Sequence, residues 1–577
     1  MDKLLLTGDE AVAQAARAAG VGLGTGYPGT PSTEILETFA ALGGRAQWSP
    51  NEKVALEVGI GAAYGRSRAL VTMKHVGLNV AADPLFTVAE TGVQGALIVV
   101  VCDDPGMASS QNEQDSRRYA VAAGVPLLEP ADSQEAYDFF GAAVEISERW
   151  GLPVLLRLTT RISHSKSVVA LRPLPPLPGP PAFVRDIPSR VMIPAYARPM
   201  HRRLRQKLVE IKAWGETAPL HETLPGSAEL GIVASGVSVM HAREAAPQAR
   251  LLKLGLTYPP PLEAVRDFAR GVKRCVVVEE GDPVLVEACR AEGIEVEGKP
   301  ERYRFGELNV ARVRRILAGD TSPEPEPPRG KPPQLCPGCP HRTVFETLRD
   351  EGCIVAGDIG CYTLGVLPPF EAMDTCVCMG ASIGVGLGLR HVLAPEQAQK
   401  VVSVIGDSTF VHSGITGLVE MAYNPPPGGH VVLILDNDTT AMTGLQEHPG
   451  TGRTLDHRPT RRLDFEALAR TVGMDEVAVI DAQRDPPAFR ELLRRSLSSG
   501  KLWVIIVRKP CLLAARRQRQ EAAAPAPIPP PDTHNSPEDS AIPRRPPGPP
   551  AYSRTARSRS SWRESPVAVE SRRSPRP

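Results

Sequence analysis

The sequence predicts an α/β protein of several doubly wound parallel-sheet domains with a disordered C-terminal tail, on three observations. Short β-branched runs recur along the chain and stop at Gly, Asp, Asn or Thr, residues that turn a chain out of a sheet. The stretches between them have helical apolar periodicity, so the strands they join should be parallel neighbours. The clearest unit runs from the strand 400–405 into Gly406-Asp407-Ser408, through the helical stretch 413–423, to the strand 431–435 and Asp436-Asn437-Asp438.

A chain of 577 residues with 42% hydrophobic content is long enough for three or four cores. A formal net charge of +1 gives no overall pull toward nucleic acid or a membrane surface. No run of about 20 apolar residues occurs, so no span is expected. The apolar stretch after Met1 is too short for a signal peptide, and a cytoplasmic protein is expected.

The first domain is expected over 1–165. Glycines from 20 to 26 lead into Tyr27-Pro28-Gly29-Thr30-Pro31. Pro31 suits the first turn of a helix, with Thr30 as its cap. Asn51-Glu52 opens an apolar helix, where a carboxylate often does no more than match the helix dipole. The glycines of 59–65 lie inside that helix and suit close packing, not a dinucleotide loop. Residues 69–73, 96–101 and 153–158 read as buried parallel strands. His75 follows the first of these and His412 follows Gly406-Asp407. Each reads either as polar lining of a cleft or as a structural histidine with satisfied partners. The polar loop 105–112 also follows a strand and would line the same cleft.

A proline-rich bridge and connecting segment are expected over 166–224, and a second α/β domain over 225–320 with strands at 230–234 and 275–278. Residues 321–334 read as an extended linker rich in Pro and Glu. A third domain follows over 335–512, ending on the strand 502–507. From 513 to 577, Pro, Ala, Ser and Arg dominate without aliphatic periodicity, which predicts disorder. Its arginines read as a solvated tail or as a partner or nucleic-acid arm.

Asp407 and Asn437 would emerge side by side at the carboxyl ends of neighbouring strands, where open α/β sheets bind ligands. One carboxylate and one amide oxygen, with the Thr439 carbonyl and diphosphate oxygens added, make the octahedral oxygen site that magnesium prefers. A magnesium-bound diphosphate is therefore expected. The ten cysteines are unevenly placed, with six between Cys336 and Cys378. Cys336-Pro337-Gly338-Cys339 has the spacing of a zinc or iron–sulfur ligand pair. Cys361 and Cys511 are candidates for the remaining ligands, Cys376 and Cys378 are rivals, and buried free thiols are the third reading.

Gly406-Asp407-Ser408 paired with Asp436-Asn437, ahead of Ala441-Met442-Thr443-Gly444, resembles the diphosphate signature of thiamine diphosphate enzymes. The stretches 26–32, 51–55, 72–79, 336–342 and 436–444 further resemble the alpha subunits of the indolepyruvate ferredoxin oxidoreductase family, in order across residues 1–512. The resemblance implies a pyrimidine-type cofactor domain at 1–165, a transketolase C-terminal-like domain at 225–320 and a diphosphate/magnesium domain at 335–512. It implies that Glu52 bonds the aminopyrimidine of thiamine diphosphate, with Glu57 the alternative on charge alone and His75 a second catalytic candidate. Gly29, Thr30, Glu52, Gly406, Asp407, Ser408, Asn437, Thr439 and Met442 would contact the cofactor. Asp407, Asn437 and Thr439 would hold Mg2+. Cys336, Cys339, Cys361 and Cys511 would hold one [4Fe–4S] cluster.

The implied reaction is oxidative decarboxylation of an aryl 2-oxoacid to an acyl-coenzyme A, with electrons passed to ferredoxin and a smaller beta subunit in a hetero-oligomer. The family's alpha subunits usually carry a C-terminal ferredoxin-like domain with two runs of cysteines, and here no cysteine follows Cys511. That departure keeps open a non-oxidative 2-oxoacid decarboxylase, and the basic tail keeps open a non-catalytic partner subunit that docks a second protein or nucleic acid.

Overall fold

The computed structural model describes residues 2–325 and 332–523. Among them, three parallel-sheet cores form, as the alternation of β-branched runs and helical stretches requires. The first sheet has seven strands. Their order across the sheet is Leu256–Tyr258, Leu127–Leu128, Pro153–Thr159, Leu97–Asp103, Ala69–Lys74, Leu23–Gly26 and Ala46–Trp48. All neighbours are parallel except the edge strand Leu256–Tyr258, which pairs antiparallel with Leu127–Leu128. That edge strand comes from the expected second domain, so the first sheet draws on chain beyond residue 165. A two-stranded antiparallel ribbon, Lys3–Leu6 with Ser167–Ala170, closes the N-terminus onto the end of this domain.

The second sheet has four strands, in the order Cys275–Val278, Ser227–Ser235, Ala249–Leu254 and His221–Leu224. Its edge strand His221–Leu224 lies ahead of the expected start at 225. A buried ion pair ties this sheet to the first domain, with Arg117 Nη1 2.6 Å from Glu279 Oε2. Arg117 also pairs with Asp115 (2.6 Å), and Glu279 accepts the Leu285 and Val286 N–H groups, so both charges are held by more than one partner.

The third sheet is wholly parallel. Its order is Thr375–Cys376, Ile354–Gly357, Val401–Gly406, His430–Asp436, Leu502–Arg508 and Glu476–Ile480. Side chains alternate between its two faces with period two. Val402, Val404, Leu433, Leu435 and Ile505 pack on one face, and Ile405, Val432, Ile434, Val504 and Ile506 on the other. Each such side chain contributes about 1.5–3 kcal/mol by burial. A sheet covered on both faces leaves its strand ends open to a polar ligand, and Asp407 and Asn437 lie at such ends.

Two expectations about local structure change. The helix after Pro31 is Thr33–Ala41 and its cap position is Ser32, not Thr30. The loop closes on itself first: Ser32 Oγ donates to the Gly29 carbonyl (2.8 Å) and the Gly29 N–H donates to Thr33 Oγ1 (3.0 Å), which delays the helix by two residues. The tail expected to be disordered from 513 begins as a helix, Leu512–Ala523. Leu512, Leu513 and Ala514 lead into arginine- and glutamine-rich residues of good helical propensity, which composition alone had hidden. The remainder of that tail, 524–577, and residues 326–331 of the expected linker lie outside the described residues. No described helix is long and apolar enough to cross a membrane.

Candidate active site

Val401–Gly406 and His430–Asp436 are adjacent, with Gly406 paired to Leu435. Asp407 and Asn437 therefore leave the sheet together, both buried. The backbone N–H of Ser408 donates to Asp407 Oδ1 (2.9 Å) and that of Asp438 to Oδ2 (2.8 Å). Asp438 adopts φ 61°, a left-handed turn that brings the chain back over the carboxylate. Asn437 Nδ2 donates to His341 Nε2 (3.3 Å), and Asn437 Oδ1 accepts the Thr439 N–H (3.2 Å). Burial pushes the His341 ring down to about 4, against the opposing pull of Asp407. The ring is thus neutral near pH 7 and can accept the amide hydrogen. The Asp407 carboxylate, Asn437 Oδ1 and the Thr439 carbonyl are hard oxygen donors, and this set suits magnesium. His448 is a further buried neighbour, its Nε2 3.3 Å from Asp407 Oδ2.

Glu52 is the first residue of the helix Glu52–Tyr64. Asn51 caps that helix, its Oδ1 accepting the Val54 N–H (2.9 Å) while its Nδ2 donates to the His412 carbonyl (2.9 Å). Glu52 is only 4% exposed, and its Oε2 lies 2.8 Å from His412 Nε2. His412 belongs to the helical turns that follow Asp407, in the third domain. A Cβ at Gly77 would fall 2.6 Å from Glu52 Cγ and Oε1, so only glycine lets the carboxylate sit there. Tyr27 adds a second link between the domains. Its hydroxyl bonds Ser408 Oγ (2.8 Å), which in turn bonds Thr440 Oγ1 (2.8 Å), and its ring packs edge-on to His412 at 4.8 Å.

These two ends face each other across one cleft of about 900 Å³, space open to solvent included. Gly29, Thr30, Glu52, Gly406, Asp407, Ser408, Asn437, Thr439 and Met442 all line it, so the residues expected at the cofactor from both domains meet. Glu57 does not line it and instead pairs with Lys53 on the helix surface. His75 is not in the cleft wall either. Its side chain is buried with Nε2 3.1 Å from the Asn112 carbonyl, and the neighbouring Lys74 lines the cleft in its place. The change of one residue follows from strand alternation: Lys74 ends the strand Ala69–Lys74 and His75 begins the next helix. Lys74 Nζ donates to the Ser109 carbonyl (2.8 Å) and lies 3.9 Å from Asp104 Oδ2. Burial lowers its ammonium to about 8, with Asp104 partly opposing. Ser109 and Gln111 of the polar loop after Leu97–Asp103 complete that wall. His412 does not line the cleft but backs Glu52, and His341 and His448 back the diphosphate end. Only its position directly after Cys336-Pro337-Gly338-Cys339-Pro340 hinted at His341.

Cys336, Cys339, Cys361 and Cys511 line a second pocket of about 540 Å³, space open to solvent included, and Cys376 and Cys378 do not. Cys361, Asn437 and Ala441 belong to both pockets, so the thiols sit behind the wall of the cofactor cleft. Among the described residues, these cysteines form no group of three ligand atoms within 4.8 Å. Thiolates on one zinc would lie about 3.8 Å apart, given Zn–S bonds near 2.3 Å. As placed, the thiols are therefore not gathered at the spacing of a single zinc. Burial pushes the Cys339 and Cys361 thiols up to about 11, so they are protonated at neutral pH unless a metal displaces the proton.

Comparisons with known proteins fall on the same two domains. A family model for the C-terminal TPP-binding domain of thiamine pyrophosphate enzymes matches residues 358–507. A model for the thiamine diphosphate-binding region of pyruvate flavodoxin/ferredoxin oxidoreductases matches residues 14–177. Indolepyruvate oxidoreductase subunit IorA of Methanothermobacter thermautotrophicus is 40% identical over 549 residues, 89% of this chain and 88% of that one. The IorA subunit of Archaeoglobus fulgidus is 39% identical over 550 residues, 89% and 87% of the two chains. That of Pyrococcus abyssi is 40% identical over 563 residues, 89% and 86%.

Proposed function

The chain belongs to the family of indolepyruvate oxidoreductase IorA subunits, thiamine diphosphate-dependent 2-oxoacid oxidoreductases, and from that premise we propose its substrate, its cofactor ligands and its electron carrier. The substrate is an aryl pyruvate of the indolepyruvate type, converted to an acyl-coenzyme A with electrons passed through a [4Fe–4S] cluster to ferredoxin. A smaller beta subunit completes the enzyme. The observation that carries this reading is the single cleft with Glu52 at one end and the Asp407–Asn437 pair at the other.

Thiamine diphosphate, when bound, supplies the electron sink for loss of carbon dioxide. Asp407, Asn437 and the Thr439 carbonyl would hold the Mg2+ that neutralises its diphosphate. Gly29, Thr30, Gly406, Ser408 and Met442 would form its walls. Glu52 would bond the aminopyrimidine and hold its proton. His412 Nε2, 2.8 Å away, fixes the carboxylate in place for that task. Lys74 would receive the carboxylate of the 2-oxoacid, being the cation among the residues of this wall. Val76 and Met379 offer apolar surface to an aryl side chain, and both line the cleft.

Cys336, Cys339, Cys361 and Cys511 would hold the cluster, which would carry electrons one at a time. Protein purified anaerobically should contain thiamine diphosphate and about four irons and four sulfides per chain. Cys361→Ser should lower the iron while bound thiamine diphosphate stays. Free aldehyde as product with no iron would overturn the oxidative half and favour a non-oxidative decarboxylase. An empty cofactor cleft at saturating cofactor and magnesium would overturn the whole assignment.

A further inference from the structure

A third pocket, of about 600 Å³ including space open to solvent, lies between the first domain and the connecting segment after it and shares no residue with the thiamine cleft. Its walls are the end of the helix Ala82–Thr91, the turn at Gly151, and the two helices Ile187–Arg190 and Pro194–Gly215. Three cations converge on it, Arg190, Arg203 and Lys207. Arg203 and Lys207 are four residues apart on one helix face, where like charges repel. Among the described residues, none of the three has a carboxylate within 4.0 Å.

Two acidic residues also line the pocket, and both are engaged elsewhere. Glu90 Oε1 bonds His201 Nδ1 (3.0 Å), and Asp186 Oδ1 accepts the Ser189 N–H (3.3 Å). Arg190 is the most exacting member. Its guanidinium is held between the rings of Phe183 and Tyr64, at 4.8 and 5.1 Å from their centroids. Both terminal nitrogens are buried and have no hydrogen-bond partner. A fixed guanidinium with idle donors is costly unless an acceptor fills the site. The surrounding segment is basic too, with eight Lys or Arg against two Asp or Glu from 185 to 212, in a chain of net charge +1.

We propose that Arg190, Arg203 and Lys207 form a binding site for the phosphoryl group of a small organic phosphate. The planar guanidinium offers paired donors to two phosphoryl oxygens, and the lysine and second arginine neutralise the remaining charge. The pocket exceeds the volume of a lone phosphate, so the rest of the ligand occupies the open side. The site is independent of the thiamine reading and needs no activity to be detected.

Titration calorimetry on the full chain, saturated with thiamine diphosphate and magnesium, tests it with two probes, inorganic phosphate and ADP. Each should bind once per chain, ADP the more tightly, and more weakly as chloride rises. Arg190→Gln and Arg203→Gln should each weaken ADP by about tenfold or more, while Asp407→Ala leaves ADP affinity unchanged. Circular dichroism reports whether Arg190→Gln folds, and Arg203→Gln, at an exposed position, decides the matter if it does not. Equal affinity for both probes would assign the site to free phosphate. Absence of heat from either probe would overturn the proposal. So would loss of ADP binding in Asp407→Ala with retention in Arg203→Gln. Binding of polyglutamate where neither probe binds would overturn it in favour of an acidic protein partner.

Discussion

The two ends of the thiamine cleft are built in opposite ways. At the diphosphate end, Asp407 and Asn437 come from one strand–helix–strand unit, and the backbone of that unit fixes Asp407 through the Ser408 and Asp438 N–H groups. At the pyrimidine end, Glu52 meets His412 across 360 residues of chain, and the contact exists only because the first and third domains pack together. The first end is local and held by backbone. The second is held by side chains, with Tyr27–Ser408 and Asn51–His412 as its braces. In the proposed function, the binding role falls where the fold is least able to vary, and the proton-handling role falls where assembly of the domains completes the site.

This contrast can be broken most sharply at Glu52. Glu52→Gln should lower kcat by about a thousandfold, in the range for loss of a proton-transfer group, while thiamine diphosphate affinity changes only a few-fold. Equal loss of kcat and cofactor affinity would mean that the pyrimidine end is also a binding device. The next largest effect belongs to Asp407→Ala, which should weaken magnesium-dependent binding of thiamine diphosphate by about a hundredfold. Unchanged affinity by fluorescence titration would remove the metal assignment.

The smallest effect sharpens the role of the wall between the two ends. Lys74→Met should raise KM for the 2-oxoacid by about tenfold and leave cofactor affinity alone. Burial lowers the Lys74 ammonium to about 8, so the cation is present below that pH and lost above it. KM of the unaltered enzyme should therefore rise as pH passes through about 8, and the rise should vanish in Lys74→Met. A KM that stays flat from pH 7 to 9 would exclude Lys74 from carboxylate binding.

The parallel third sheet was legible because fully buried strands read as β-branched runs and their ends as oxygen-bearing turns. His430–Asp436 appears within one residue of its expected bounds, and Cys275–Val278 of the second sheet with its expected bounds unchanged. Other features resisted. Leu256–Tyr258 crosses into the first sheet as an antiparallel edge, and three residues carry too little pattern to announce a partner. His75 and Lys74 differ by one position, and one position decides which side chain faces the cleft and which is buried beside the Asn112 carbonyl.

The sequence by itself determined the α/β class and the adjacency of Asp407 and Asn437 at two strand ends, because both rest on short-range rules of strand alternation and crossover handedness, while the residues expected at the cofactor came from the family resemblance. It also selected the four cysteines, though only the fold separated them from Cys376 and Cys378 by placing them around one pocket. Tertiary structure alone decided that His412 backs Glu52, that His341 steadies Asn437 and that three cations converge beside Gly151. Those contacts join helices and loops whose separation along the chain carries no periodic signal. Their energies arise from burial and electrostatics that exist only once the cores have closed.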